Sequence, residues 1–283
     1  MATLRLGVIA DPHLSVNGGE AAWHNPYRLD DSAERLDAAL ADPLLDDVDA
    51  FVLLGDLAHF GDRASLRRCV DGVAAGRRDR PAILLSGNHD VVVDGVSLDD
   101  ELTDHADAFD ASKLFEAAGL GLHVQHVTAL TDREVHPFDV DPRTIVPDGP
   151  YGHVVLTHFP LLSLRRRARD AELLYSGHLS DLAPQVPSVP DDGPVVVLSG
   201  HLHLRGVTNE GSTLQIVFAA LVEAPYEFAR VEIEASADGM SVSYECGTAR
   251  PCDAEKVPVL DPPAGSWHIA PGHGWHQPSG ARW

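Results

Sequence analysis

The chain has 283 residues, enough to bury a substantial core in one large domain or two small ones. Its 44% hydrophobic and 23% charged residues match an ordinary globular protein and exclude a disordered chain. A formal charge of -22 opposes non-specific binding to nucleic acid or an anionic membrane. Salt screens exposed charges over about 8 Å, so a local cationic site can still hold an anion.

In chain order, the first residues lack an apolar core with a cleavage site and lead directly into a strand over 4–10, so no signal peptide is expected. No stretch approaches the roughly 18 uninterrupted apolar residues that span a bilayer. Cys69, Cys246 and Cys252 do not indicate a disulfide framework, although Cys246 and Cys252 are close enough in sequence to pair. These features point to a reducing cytoplasm and to no membrane partner.

The strand over 4–10 alternates, turns wholly apolar and ends at Asp11-Pro12-His13. Residues 14–30 contain Gly18-Gly19, Trp23, His24, Asn25-Pro26 and Tyr27 without a steady period, and read as a long loop. Ser32 is placed to cap a helix over 33–45 with Leu36, Ala39 and Leu40 on one face, and Pro43 should distort or end its last turn. A buried strand over 50–54 exits at Gly55-Asp56. A helix over 64–75 leads to a third strand, which begins at Ala82 and exits at Gly87-Asn88-His89-Asp90. This alternation predicts parallel βαβ units, whose sites form beyond the carboxyl ends of the strands.

The second half predicts a helix over 111–118, strands over 122–127 and 133–135, and a Pro/Asp-rich surface connection over 137–150. Strands over 153–156 and 195–198 exit at Thr157-His158 and at Ser199-Gly200-His201-Leu202-His203. Residues 207–246 read as three or four antiparallel strands, such as 214–218, 228–234 and 240–245. The expected organisation is a body over 1–246 and an irregular Pro/Gly-rich tail over 247–283. The tail should pack on the body or on a neighbouring subunit, which allows a homo-oligomer.

The exits collect Asp11, His13, Asp56, Asn88, His158, His201 and His203, with His89 beside them. Oxygen and imidazole donors without thiolate suit Mn, Fe, Zn or Co. Seven donors exceed what one zinc ion with an open position needs, whereas two ions sharing one carboxylate use all of them. Each residue alone reads as an ordinary turn residue. Their recurrence at five successive strand exits is what argues for a site.

Asp11-Pro12-His13, Gly55-Asp56, Gly87-Asn88-His89-Asp90, His158 and Gly200-His201-Leu202-His203, in that order and spacing, resemble the calcineurin-like metallophosphoesterase family. The resemblance covers roughly 4–218 and extends to the family's small bacterial phosphodiesterase branch. It implies an α/β fold of two packed mixed β-sheets flanked by helices, a four-layer α/β/β/α sandwich. It also implies that Asp11, His13 and His203 hold a first metal ion, that Asn88, His158 and His201 hold a second, and that Asp56 bridges them. His89 would stand beside the scissile bond, oriented by Asp90. Two ions about 3.5 to 4 Å apart can hold a hydroxide and clamp phosphoryl oxygens for in-line attack. The implied activity is hydrolysis of a small-molecule phosphate ester, with phosphodiesters such as cyclic nucleotides favoured over phosphomonoesters. A non-catalytic protein-binding scaffold on the same fold is the alternative of another class.

His59 stands three residues after Asp56, where purple acid phosphatase relatives carry a metal-binding Tyr and many others Asp or Asn. It can reach the first ion, stand behind its ligands or face the substrate. Arg165, Arg166, Arg167 and Arg169 can reach substrate phosphate, but read better as an exposed basic face. Trp23, His24 and Tyr27 can line a leaving-group pocket or pack their loop onto the domain. His268, His273 and His276 interleave with Trp267 and Trp275 in no metal-binding spacing. His105, His123, His126, His136, His153 and His178 have no motif context and read as structural.

Overall fold

The computed structural model describes residues 2–91, 98–103, 108–129, 139–182, 190, 193–251 and 257–277. In chain order its first half carries β1 (Ala2–Ile9), α1 (Ser32–Ala41), β2 (Ala50–Leu53), α2 (Arg63–Gly76), β3 (Ala82–Leu84), α3 (Leu98–Leu102) and α4 (Ser112–Ala118). There follow β4 (Gly121–Ala129), β5 (Asp139–Val146), β6 (His153–Thr157), α5 (Arg165–Asp170), α6 (Leu179–Leu182) and β7 (Val195–Ser199). The last strands are β8 (Gly206–Glu210), β9 (Thr213–Val217), β10 (Glu227–Ser236), β11 (Gly239–Thr248) and β12 (Ala264–Ile269).

These strands form two six-stranded mixed sheets, in the orders β12-β11-β10-β1-β2-β3 and β5-β4-β6-β7-β9-β8. The period-2 pattern of β2 shows why both faces of the first sheet are covered. Val52 and Leu54 enter the core between the sheets, and Phe51 and Leu53 pack outward with Leu36 and Leu40 of α1 and Leu66 and Val70 of α2. Val154 and Leu156 of β6 and Val196 and Leu198 of β7 fill the same inter-sheet core. On the outer face of the second sheet, Leu164, Ala168 and Leu173 around α5 pack against Val217. The architecture is the expected four-layer sandwich, with short helices over its second sheet.

Several local expectations are corrected. Ser32 is the first helical residue rather than the cap, and its hydroxyl donates back to the Leu29 carbonyl. Asp42 leaves the helix in extended conformation just before Pro43, which is where that proline should end it. The presumed surface connection over 137–150 contains β5, which pairs antiparallel with β4 at the sheet edge, where Pro142 is tolerated. The strand expected over 133–135 lies outside the described residues, as do His105, His136 and Cys252. The strands after Val207 divide between the sheets: β9 runs parallel to β7, and β10 and β11 join β1.

The tail is not irregular throughout. β12 pairs antiparallel with β11, and both Trp267 and Trp275 belong to the inter-sheet core. Trp267 stacks on Tyr244 with ring centroids 5.7 Å apart and 8° between planes. The Trp275 indole N–H donates to the Ser212 carbonyl at 2.7 Å. His268 and His276 face each other across a backbone bridge, with the His268 ring 3.0 Å from the Ser241 hydroxyl. Truncating Trp267 to Ala removes a core aromatic and is expected to lower the unfolding free energy by about 3 to 5 kcal/mol, read from urea denaturation of the full chain.

Candidate functional site

Parallel register brings the polar exits together. Ile9 is level with Leu53 across β1 and β2, and beyond the strands the exits continue to pair: His13 N–H donates to the Asp56 carbonyl, and Leu14 N–H to that of Leu57, each at 2.9 Å. In the second sheet Thr157 is level with Ser199, and Gly200 N–H donates to the His158 carbonyl at 3.1 Å. The segment after β9 then crosses to the first sheet, where Leu221 and Val222 donate to the carbonyls of Ala10 and Asp11. The carboxyl ends of both sheets therefore share one cluster of side chains.

The backbone carrying this cluster is strained. Among the described residues, five of the non-glycine residues with positive φ are predicted ligands: Asp11 (48°), His13 (44°), Asp56 (49°), His201 (68°) and His203 (51°). Such conformations cost on the order of 1 to 3 kcal/mol each and gather where function requires them. Two glycines make room: a Cβ on Gly200 would lie 2.5 Å from Asp11 Oδ2, and one on Gly87 2.3 Å from Asp56 Oδ1. Neither site tolerates a side chain without displacing a carboxylate.

The donors form two groups joined by Asp56. In the first, His13 Nε2 lies 3.2 Å from His203 Nε2 and 3.4 Å from Asp56 Oδ2, and His203 Nε2 lies 3.7 Å from Asp11 Oδ1. In the second, His158 Nε2 lies 3.4 Å from Asp56 Oδ1 and 2.9 Å from Asn88 Oδ1, with the His201 ring 5.0 Å from that of His158. Asp11, His13, Asp56, His158 and His203 are all buried.

Each imidazole has its other nitrogen held. His158 Nδ1–H donates to the Leu54 carbonyl at 2.9 Å, and His203 Nδ1–H donates to Glu223 Oε1 at 2.7 Å. His201 Nε2 meets the Ser176 hydroxyl at 2.9 Å, and His13 Nδ1 meets His59 Nδ1 at 3.1 Å. Outer partners of this kind fix the tautomer and ring orientation of metal-ligating histidines. Of the nitrogens left over, Nε2 of His13, His203 and His158 point at one another, at Asn88 and at the carboxylates.

That arrangement calls for positive charge. Burial pushes His13 well below the usual imidazole range, aided by His203, and pushes His201 down likewise, aided by His158, so both rings are neutral. Burial pushes Asp11 up to about 6 against the pull of His203. Burial would also lower His203, but Asp11 and the Glu223 hydrogen bond outweigh it and favour a cation there. Buried lone pairs 3.2 Å apart beside two carboxylates repel unless a proton or a metal ion lies among them. The oxygen and imidazole donors fit divalent ions such as Mn, Fe, Zn or Co.

The calcineurin-like phosphoesterase family model matches residues 4–205. The chain belongs to this family. Its fold is similar to that of a dimetal phosphatase from Danio rerio, at a TM-score of 0.52 and 16% identity, covering 88% of this chain and 97% of that one. A purple acid phosphatase from yellow lupin aligns at a TM-score of 0.46 and 13% identity, covering 95% of this chain and 54% of that one. No curated protein matches the chain in sequence.

For a calcineurin-like phosphoesterase, one expected contact is absent. Asp90 does not orient His89: its carboxylate accepts the backbone N–H groups of Leu57 (2.9 Å), Ala58 (2.7 Å) and Gly87 (2.8 Å). These three bonds join the loops after β2 and β3. Burial and Asp56 nevertheless push it up to about 7. His89 instead has Nδ1 2.7 Å from the His59 carbonyl, and its backbone N–H donates to Asp56 Oδ1 at 2.8 Å. His59 is buried behind His13, and burial together with His89 pushes its ring down to about 4.

Of the loop aromatics, Tyr27 reaches the site, its ring 5.2 Å from that of His13 and 5.3 Å from that of His203. His24 instead meets the Leu202 carbonyl and Trp23 lies beside it, so both pack the loop onto the body. Arg167 is tied to Val207, Leu260 and Asp261, Arg165 to Asp181, and Arg166 and Arg169 to Asp170. They form a self-paired surface patch.

Glu223 and Ser176 are the partners that sequence reasoning missed. Glu223 is 0% exposed and closes the apolar run that crosses between the sheets, so a lone acid ending such a run was the available signal. Ser176 carries no comparable signal. Glu223→Gln is expected to weaken binding of one metal ion about 10- to 100-fold, measured by competition with a chromophoric chelator. Asp90→Ala strands three buried donors, each costing roughly 1 to 3 kcal/mol. It should lower the urea-unfolding free energy by about 3 kcal/mol or more.

Proposed function

We propose that the chain hydrolyses phosphate esters with two metal ions, and that phosphodiesters, cyclic nucleotides included, are its preferred class. The observation that carries the two-ion reading is the division of Asp56, whose Oδ2 faces His13 and whose Oδ1 faces His158. On this reading Asp11, His13 and His203 hold the first ion, Asn88, His158 and His201 the second, and Asp56 both. When bound, the two ions activate water and neutralise charge on the phosphoryl oxygens.

The chain's own groups supply the remainder. With Nδ1–H committed to the His59 carbonyl, His89 presents Nε2, which in the doubly protonated ring would donate to the phosphoryl group or give its proton to the leaving oxygen and return to the neutral Nδ1–H form. Tyr27 and Phe159 wall the imidazole cluster and limit its access to water. The diester preference is supported by charge. Among the described residues, side chains in contact with the donor rings such as Tyr27, Phe159, Ser176 and Glu223 are uncharged or acidic. Arg165 and Arg169, which line a surface cavity with Ser176, are paired with Asp181 and Asp170, so a singly charged ester suits the site better than a doubly charged one.

The test is to load the protein with Mn, Fe, Zn or Co and compare chromogenic phosphodiester and phosphomonoester hydrolysis. The expected result is a higher kcat/KM for the diester, with His89→Ala lowering kcat about 10²- to 10⁴-fold at unchanged metal content. A higher kcat/KM for the monoester would overturn the diester preference. No turnover of either ester with two ions bound would overturn catalysis and favour the protein-binding scaffold.

A further inference from the structure

We propose that His59 is a positioning residue serving two histidines at once: its ring fixes the proton of His13, and its main-chain carbonyl fixes that of His89. This role rests on the two-ion reading of the site. His13 turns Nε2 toward Asp56 and His203, and turns Nδ1 toward His59 Nδ1 at 3.1 Å. For Nε2 to offer a lone pair to an ion, the single proton of the neutral ring must sit on Nδ1. That proton has His59 Nδ1 as its acceptor, so His59 carries its own proton on Nε2. The nitrogen His59 turns to His13 is thereby occupied, which makes it a support for the first ion's ligand rather than a ligand through that atom.

The main chain of the same residue does the second task. The His59 carbonyl accepts Nδ1–H of His89 at 2.7 Å, which leaves His89 Nε2 as the nitrogen that can face substrate. The two rings stack with centroids 5.1 Å apart and 20° between planes, so the His59 ring also supports the plane of His89. His59 is held in turn by its backbone N–H, which donates to the Leu14 carbonyl at 2.9 Å, and by the exposed Phe60 ring, 4.4 Å from its own. One residue thus sets the tautomers of a metal ligand and of the group nearest the phosphoryl centre. A neutral imidazole does so without adding a third negative charge to Asp11 and Asp56, and preserves the attraction of two ions for an anionic ester.

The two tasks separate by mutation, because side-chain replacement removes the acceptor for His13 and keeps the carbonyl for His89. Wild type, His59→Ala and His59→Asn would be titrated with Mn(II) against a chromophoric chelator, and their visible absorption compared at saturating Co(II). His59→Ala should weaken one of two binding events about 10- to 100-fold and leave the other unchanged. His59→Asn, whose Oδ1 takes the place of Nδ1, should restore most of that affinity. At saturating Co(II) both variants should show the wild-type absorption, because the number and kind of ligands are the same.

Unchanged affinities in His59→Ala would overturn the proposal, as would an Asn variant as weak as Ala while its metal-free unfolding midpoint matches wild type. A changed Co(II) spectrum at saturation would overturn it in favour of direct ligation. The affinities and spectra decide the role of His59 whether or not any ester is hydrolysed, so an inactive but metal-binding chain defeats the proposed function alone. A wild-type chain that binds no ion defeats both.

Discussion

The carboxylate of Asp56 is the interaction on which the site depends. Its two oxygens face different imidazoles, one of them also accepts the His89 backbone N–H, and its own carbonyl accepts that of His13. The exits of β1, β3 and β6 each bring a residue against it: His13, His89 and His158. Burying so many acceptors around one carboxylate is unfavourable in itself. The sandwich holds them there because apolar side chains fill the space between two sheets whose carboxyl ends converge.

Much of this was legible before any coordinates, for physical reasons. Short apolar runs such as those before Asp56 and His158 report strands buried on both faces, and an abrupt polar exit marks where such a strand leaves the core. Parallel alternation then puts the exits at one end. What stayed hidden depended on partners distant in sequence. Nothing near Asp90 tells that its oxygens are taken by Leu57, Ala58 and Gly87, and nothing near Ser176 tells that it meets His201. β12 was obscured by surrounding Pro and Gly, although its alternating burial and two tryptophans carry the strand signal.

The acidic surface and an anion-binding site are compatible because they act at different depths. Exposed carboxylates pair with nearby arginines, as Asp47 does with Arg230 and Asp99 with Arg143, and salt screens what remains. The buried donors are not screened in this way. Their charge balance is set locally, by the buried carboxylates of Asp11, Asp56 and Glu223, the imidazoles among them and whatever cation they hold.

The crossing of the chain after β9 has a mechanical consequence. Asp11, His13, Asp56 and Asn88 extend from one sheet and His158, His201 and His203 from the other, so an ion in either donor group ties the layers together. The contact between Asp11 and His201 already spans 190 residues of chain. Closing a loop of that length with a metal bond would make an ion held there a fastener for the whole sandwich as well as a cofactor. Any sliding of one sheet over the other alters both donor groups together, with Asp56 as the common pivot.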